Sequence, residues 1–238
     1  MRGEIKINSI HERMKCFMRL RKKRWARPEL EASDFYIKQP QMFIGNWRGL
    51  FNNENQQLHI ELGCGKGGFI SELALKNPTI NYIAIDIKDE VLVLAKRKIE
   101  ASYNKYNKKI DNVKITAHEI MLIHRIFDKN DSIDRIYINF CNPWPKNRHK
   151  KRRLTHPNQL RQYDVFLKPG AQIWFKTDDD ELFEDSLEYF EEMGYEQVTC
   201  TRDLRLGEYE DSIATEHEMM FREMGRTIKF LIVRKKAE

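Results

Sequence analysis

The chain's 238 residues include 42 Lys and Arg against 36 Asp and Glu, a net charge of +6, and suffice for one α/β domain with a modest appendage. Four scattered cysteines with no C-x-x-C pair argue against a disulfide framework, seven histidines without ligand spacing argue against a metal centre, and no run of about twenty apolar residues exists to span a bilayer. The amino terminus lacks the apolar stretch of a signal peptide, so a reducing cytoplasm without membrane association is expected.

The charge is concentrated. Residues 13–27 hold eight basic residues and residues 148–153 hold five, with no acid in either run, whereas the rest of the chain carries 29 basic and 36 acidic residues. One such run reads most simply as a solvated face; two acid-free runs point to a polyanion.

In chain order, residues 58–62 read as a short buried strand, followed by a glycine turn and a helical pattern over 68–76 that Asn77-Pro78 ends. Residues 82–86 read as the next strand. An amphipathic helix follows over 89–103, with an apolar stripe at Val91, Leu92, Leu94, Ala95 and Ile99. Strands are expected at 113–117, 133–139 and 172–177, with helices near 120–127, 157–167 and 181–193. Two last strands, 195–200 and 228–233, flank a long excursion. Strand and helix alternate throughout, which implies an α/β fold with a mostly parallel sheet covered on both faces.

The first strand runs into Glu61-Leu62-Gly63-Cys64-Gly65-Lys66-Gly67-Gly68. Glycines at a strand-to-helix turn permit positive φ and close approach of a ligand to free N–H groups. Because Gly63, Gly65 and Gly68 also satisfy G-x-G-x-x-G, the pattern fits a dinucleotide as well as S-adenosylmethionine. Asp86, ending the second strand, suits ribose hydroxyls in either case. Glu61 tips the choice: an acid there opposes a pyrophosphate but welcomes the ammonium and sulfonium charges of S-adenosylmethionine. Glu119, beyond the third strand, is placed to accept from an adenine amine.

After the fourth strand comes Asn139-Phe140-Cys141-Asn142-Pro143-Trp144-Pro145-Lys146, then Asn147 and the basic residues Arg148, His149, Lys150, Lys151, Arg152 and Arg153. Proline fixes the turn so that the Asn142 side chain and nearby carbonyls are held where a planar base can be gripped. The cations that follow suit phosphates.

Together with Lys176-Thr177-Asp178 and Thr215-Glu216-His217-Glu218, these segments resemble the bacterial tRNA (guanine-N7)-methyltransferases over roughly residues 19–233. The Pro-Trp-Pro-Lys-x-Arg-His-x-Lys-Arg-Arg run is the most specific of them. The resemblance implies a Rossmann-like class I methyltransferase fold with a seven-stranded sheet, and methyl transfer from S-adenosylmethionine to N7 of guanine 46 in the tRNA variable loop. It implies that Glu61, Gly63, Gly65, Gly67, Asp86, Glu119 and Asn142 hold the cofactor. It places Lys146, the run 148–153, Asp178, Thr215, Glu216, His217 and Glu218 on the substrate, with Asn142 and Asp178 as the catalytic pair. Residues 1–45 are expected to form a basic amino-terminal arm and 46–238 the catalytic domain, acting on tRNA as a monomer or a homodimer.

Guanine N7 offers an in-plane lone pair, so attack on a methyl group needs no prior deprotonation. Asp178 could instead accept from guanine N1–H and N2–H as positive charge moves onto the purine; its plainer role would be to cap the helix that follows. Two positions depart from the family: Asn142 stands where Asp is usual, and His217 where Tyr is usual. A nucleotide-dependent dehydrogenase would use the same glycine loop but leave the basic runs unexplained, and a nicotinamide titration separates the two. A non-catalytic RNA-binding protein would require a spoiled cofactor loop, yet its glycines and acids are present.

Overall fold

The computed structural model describes residues 23–53, 55–209 and 212–237. Seven strands form one sheet: β1 (Gln57–Leu62), β2 (Ile80–Asp86), β3 (Val113–Ala117), β4 (Ile133–Asn139), β5 (Leu167–Thr177), β6 (Glu196–Thr201) and β7 (Lys229–Arg234). Their order is β3-β2-β1-β4-β5-β7-β6, and β7 alone runs antiparallel to its neighbours β5 and β6. The mostly parallel sheet expected from the alternation is therefore present.

The side-chain period of two along each strand divides the core. Leu58, Ile60 and Leu62 face a layer made by α4 (Pro157–Phe166) and α5 (Asp180–Glu192) with Trp47, while the opposite face is covered by α1 (Ala26–Glu31), α2 (Gly68–Lys76) and α3 (Asp89–Lys105). His59 and Glu61, the alternate residues of β1, point to this second face and are nearly sealed from solvent. The sequence at 120–127 folds as a 3-10 turn (Ile120–Arg125) instead of an α-helix. Ile120, Ile123 and Ile126 recur every three residues, the period of the tighter helix.

The strand expected at 172–177 begins five residues earlier, at Leu167, because a register shift between Ile133 and Arg135 absorbs Pro169 and Gly170. Among the described residues, two α-helices escaped the pattern, α1 and α6 (Glu216–Glu223). Of the segment read as an amino-terminal arm, residues 1–22 lie outside the described residues, and with them most of the first basic run. The part that is described packs on the domain: Ala26 and Leu30 are buried, and Tyr36 bridges Ile115 at the β3 edge. No helix among the described residues is long and apolar enough to cross a membrane. Cys64, Cys141 and Cys200 are free thiols.

Candidate active site

Strand register builds the site. Glu61 pairs with Ala84 and Tyr137, and Asn139 pairs with Lys176. Two residues beyond the first pairing, Asp86, Gly63 and Asn139 come level on the face covered by α2 and α3, with Lys176 next in the row. A polar row crosses the carboxyl edge of the sheet, and at its middle strand the residue is a glycine. The gap that Gly63 leaves opens into a pocket lined by Glu61, the glycine loop, Phe69, Asn139, Phe140, Thr215, Glu216 and His217.

The loop is shaped by backbone demands. Gly63, Gly65 and Gly67 have φ of 78°, 54° and 76°, the left-handed region that side chains resist. A Cβ at Gly63 or Gly65 would project into open space, whereas one at Gly67 would lie 2.7 Å from the Ala95 Cα. The first two glycines thus keep a cradle clear, and the third lets α2 approach α3. Asp86 braces the cradle, accepting from Gly65 N–H at 3.0 Å and from Lys88 N–H at 3.1 Å. Beside it, Ile87 exposes an apolar side chain.

Glu61 lies at the bottom. Its Oε1 accepts from Asn139 Nδ2 at 3.3 Å, and its Oε2 is buried without a hydrogen-bond partner. Burial pushes the carboxyl up to about 8, against the pull of the Asn139 hydrogen bond and with a further push from the Asp86 charge. A sealed carboxyl with one free oxygen, beside a glycine cradle, fits a ligand that brings its own positive charge. The amino-acid portion of S-adenosylmethionine has that chemistry.

The other wall is α6. Thr215 caps it, accepting from Glu218 N–H at 2.9 Å. Glu218 is buried between Lys176 Nζ at 2.9 Å and Arg222, whose Nη2 is at 2.7 Å. Glu216 and His217 are exposed at the pocket mouth, where Glu216 pairs with Lys98 of α3.

Other expected residues lie outside the pocket lining. Glu119 is exposed, and its carbonyl accepts from Leu122 N–H at 2.9 Å. Asn142 is exposed too, with Oδ1 accepting from Trp144 N–H at 3.0 Å, so its side chain shapes the turn. Lys146 is exposed just before the 3-10 turn Asn147–Arg152. Asp178 pairs with Arg226 at 2.5 Å and does not cap α5; Asp179 does, accepting from Leu182 N–H at 2.7 Å.

The basic run divides. Arg153 is fully buried, paired with Asp185 and donating from Nε to the Pro143 carbonyl at 2.7 Å. Lys150 reaches Asp185 at 2.6 Å and Glu181 at 2.8 Å. Arg148, Lys151 and Arg152 are exposed; the Arg152 guanidinium stacks 5.2 Å from the Trp144 ring centre, and the His149 ring meets that indole edge-on. Sequence reasoning did not assign Asn139, Phe140, Phe69 or Lys176 to the site. A polar residue near the carboxyl end of a buried strand, as Asn139 and Lys176 are, is the signal that could have found these two.

A parallel sheet with one antiparallel strand, a glycine cradle after β1 and an acid at the end of β2 together define the class I methyltransferase fold. The 16S rRNA methyltransferase KamB superposes with a TM-score of 0.59 over 80% of this chain and 93% of its own at 14% identity, and the aminoglycoside resistance methyltransferase NpmB1 with 0.52 over 76% and 87% at 16%. The family model described as "Putative methyltransferase" matches residues 55–231. The tRNA (guanine-N(7)-)-methyltransferase of Acetivibrio thermocellus is 60% identical over 219 residues, 92% of this chain and all of the relative; that of Clostridium perfringens strain SM101 is 60% identical over 218 residues, with the same coverage. The chain belongs to the tRNA (guanine-N7)-methyltransferase family.

Proposed function

We propose that the protein transfers a methyl group from S-adenosylmethionine to N7 of guanine 46 in the tRNA variable loop, forming 7-methylguanosine, in the cytoplasm and as a monomer or homodimer. The observation that carries the cofactor assignment is the unpartnered Oε2 of Glu61 beside the open cradle of Gly63 and Gly65. Bound there, the cofactor would supply an electrophilic methyl group on a sulfonium. Glu61 would take the ammonium, Asp86 the ribose and Ile87 one face of the adenine, with Glu119 near its amine; Gly67 would keep the loop and α2 in place.

The protein's remaining task is positioning. N7 needs no base, so holding the purine in line and excluding water supplies the rate, an effect worth roughly 7–11 kcal/mol in favourable cases. Asp178, oriented by Arg226, would accept from the guanine N1–H and N2–H edge, and Asn142 would fix the turn against which the base rests. Thr215, Glu216, His217 and Glu218 would form the wall beside the base, and Lys146 its outer rim. Arg148, Lys151 and Arg152, with His149, would meet phosphates, while Lys150 and Arg153 hold their platform on α5.

Incubation with unmodified tRNA and labelled cofactor, followed by nucleoside mass spectrometry and mapping of ribonuclease fragments, tests both levels. Label in 7-methylguanosine from the variable loop supports the whole reading. Label at another guanine N7 would reject position 46, and no 7-methylguanosine would reject the activity.

A further inference from the structure

Lys176 is a lysine almost without solvent contact in the middle of a charged site, and it touches three sides of that site at once. From β5 its carbonyl accepts from Phe140 N–H at 2.9 Å, which holds a bulky residue at φ 51° on the pocket wall. Its Nζ donates to the Ile213 carbonyl at 2.9 Å, just before α6, and to Glu218 Oε2 at 2.9 Å, inside α6. The same ammonium lies 5.7 Å from the ring centre of Phe69, the second residue of α2 and part of the pocket floor. Glu218 passes the connection on to Arg222, which donates to the Leu204 carbonyl at 2.6 Å. One buried chain of charge thus runs from the central sheet through α6 to the loop that precedes it.

We propose that Lys176 is a positioning residue for methyl transfer: the reach of its ammonium to Glu218 and Ile213 sets how close α6 stands to the glycine loop, and so shapes the side of the pocket that closes on the cofactor. This rests on reading the pocket as the S-adenosylmethionine site. A buried pair of this kind is a poor source of stability, because desolvation offsets most of the attraction, and volume-matched apolar replacements often fold as well or better. What the charged pair contributes at this place is then geometric. The two hydrogen bonds of one ammonium, to Ile213 and Glu218, fix the height of a helix that apolar packing would leave free to slide. Thr215, Glu216 and His217, which line the pocket, ride on that helix end.

The test compares the parent with Lys176→Met, the double variant Lys176→Met/Glu218→Met, and Lys176→Arg. Melting temperature, calorimetric affinity for S-adenosylhomocysteine and single-turnover rate at saturating cofactor are the readouts. Binding of S-adenosylhomocysteine by the parent is the control for the pocket assignment; if the parent does not bind, that reading fails before the variants are compared. With a binding parent, the single Met variant should melt lower. The double variant should recover most of the melting temperature yet bind S-adenosylhomocysteine at least tenfold more weakly. Recovery of both melting temperature and cofactor affinity would show a merely structural pair and overturn the proposal. If the double variant does not fold, Lys176→Arg decides: it keeps the charge but lengthens the reach, so tenfold weaker cofactor binding supports the proposal and unchanged binding overturns it.

Discussion

Asn139 at the end of β4 donates to Glu61 at the end of β1 across 3.3 Å, and it leaves the other carboxyl oxygen of Glu61 buried and unpartnered. A neutral amide can orient a carboxyl without neutralising it. With burial pushing its value up to about 8, the Glu61 carboxyl favours its protonated form at pH 7, and a cation arriving beside it would favour the charged form.

Cofactor binding should therefore release about one proton near pH 7. Calorimetry with S-adenosylhomocysteine in phosphate and in Tris, buffers of different ionisation enthalpy, measures it. Methylthioadenosine, which lacks the ammonium, should release none, and Glu61→Gln should abolish the release. Equal enthalpies in both buffers would contradict the prediction.

The ligand-free protein should show opposite trends on the two sides of neutrality. Glu61 has a folded value raised from 4.5 to about 8, so its contribution to stability is complete below 4.5 and is lost as pH rises through about 8. His59, buried beside Arg135, is held down to about 3 from 6.5, chiefly by burial; its contribution is complete above 6.5 and is lost as pH falls towards 3. Glu61→Gln should flatten the alkaline limb of a melting-temperature profile, and His59→Gln the acid limb.

The three loop glycines should separate by readout. Gly67→Ala drives a methyl group to 2.7 Å from the Ala95 backbone, so its melting temperature should fall sharply. Gly63→Ala and Gly65→Ala meet no atom of the protein and carry mainly the left-handed backbone cost of about 1–2 kcal/mol; their larger effect should be on cofactor affinity, since the added methyl fills the cradle. Calorimetry beside thermal melts distinguishes the classes. A Gly67→Ala protein that melts like the parent would contradict the packing account.

Within the basic run, Arg148, Lys151 and Arg152 changed together to Ala should flatten the dependence of tRNA affinity on salt and leave the melting temperature close to the parent's. Arg153→Ala should do the reverse, because it empties a fully buried site and frees the Pro143 carbonyl, while Asp185 keeps Lys150 as its partner; an unsatisfied buried carbonyl alone costs about 1–3 kcal/mol. Filter binding at several salt concentrations, read beside melts, checks both.

Asn142→Asp should keep both melting temperature and methyl transfer, since the oxygen that accepts from Trp144 N–H survives. Asn142→Ala removes it, and a fall in single-turnover rate of about 5- to 150-fold corresponds to roughly 1–3 kcal/mol. A parental rate in the Ala variant would leave Asn142 as a turn residue alone.

Much of this architecture could be read from the sequence, for a physical reason: apolar runs such as 133–139 and the stripe of 89–103 obey local periodicities that the sheet and its helices preserve. The glycine loop was legible because backbone constraint is written in residue type. The division of the basic run was not. Nothing in Arg148-His149-Lys150-Lys151-Arg152-Arg153 distinguishes a cation facing solvent from one buried against Asp185, since the acids that claim Lys150 and Arg153 stand some thirty residues away on α5. For the same reason the bonding of Lys176 was not legible, although the residue lies in the Lys176-Thr177-Asp178 segment: its partners, Ile213 and Glu218, follow it by 37 and 42 residues.

Phe140 and Trp144 both sit in the left-handed region, at φ 51° and 44°, on either side of Asn142. Bulky residues tolerate this conformation only where surrounding contacts impose it. The loop that would face the target base is thereby set when the chain folds, and little of its freedom is left to lose when RNA arrives. Base capture at this edge should accordingly show a small entropic penalty and survive cooling, whereas warming the loop toward its unstrained alternatives should erode catalysis below the temperature at which the sheet itself melts.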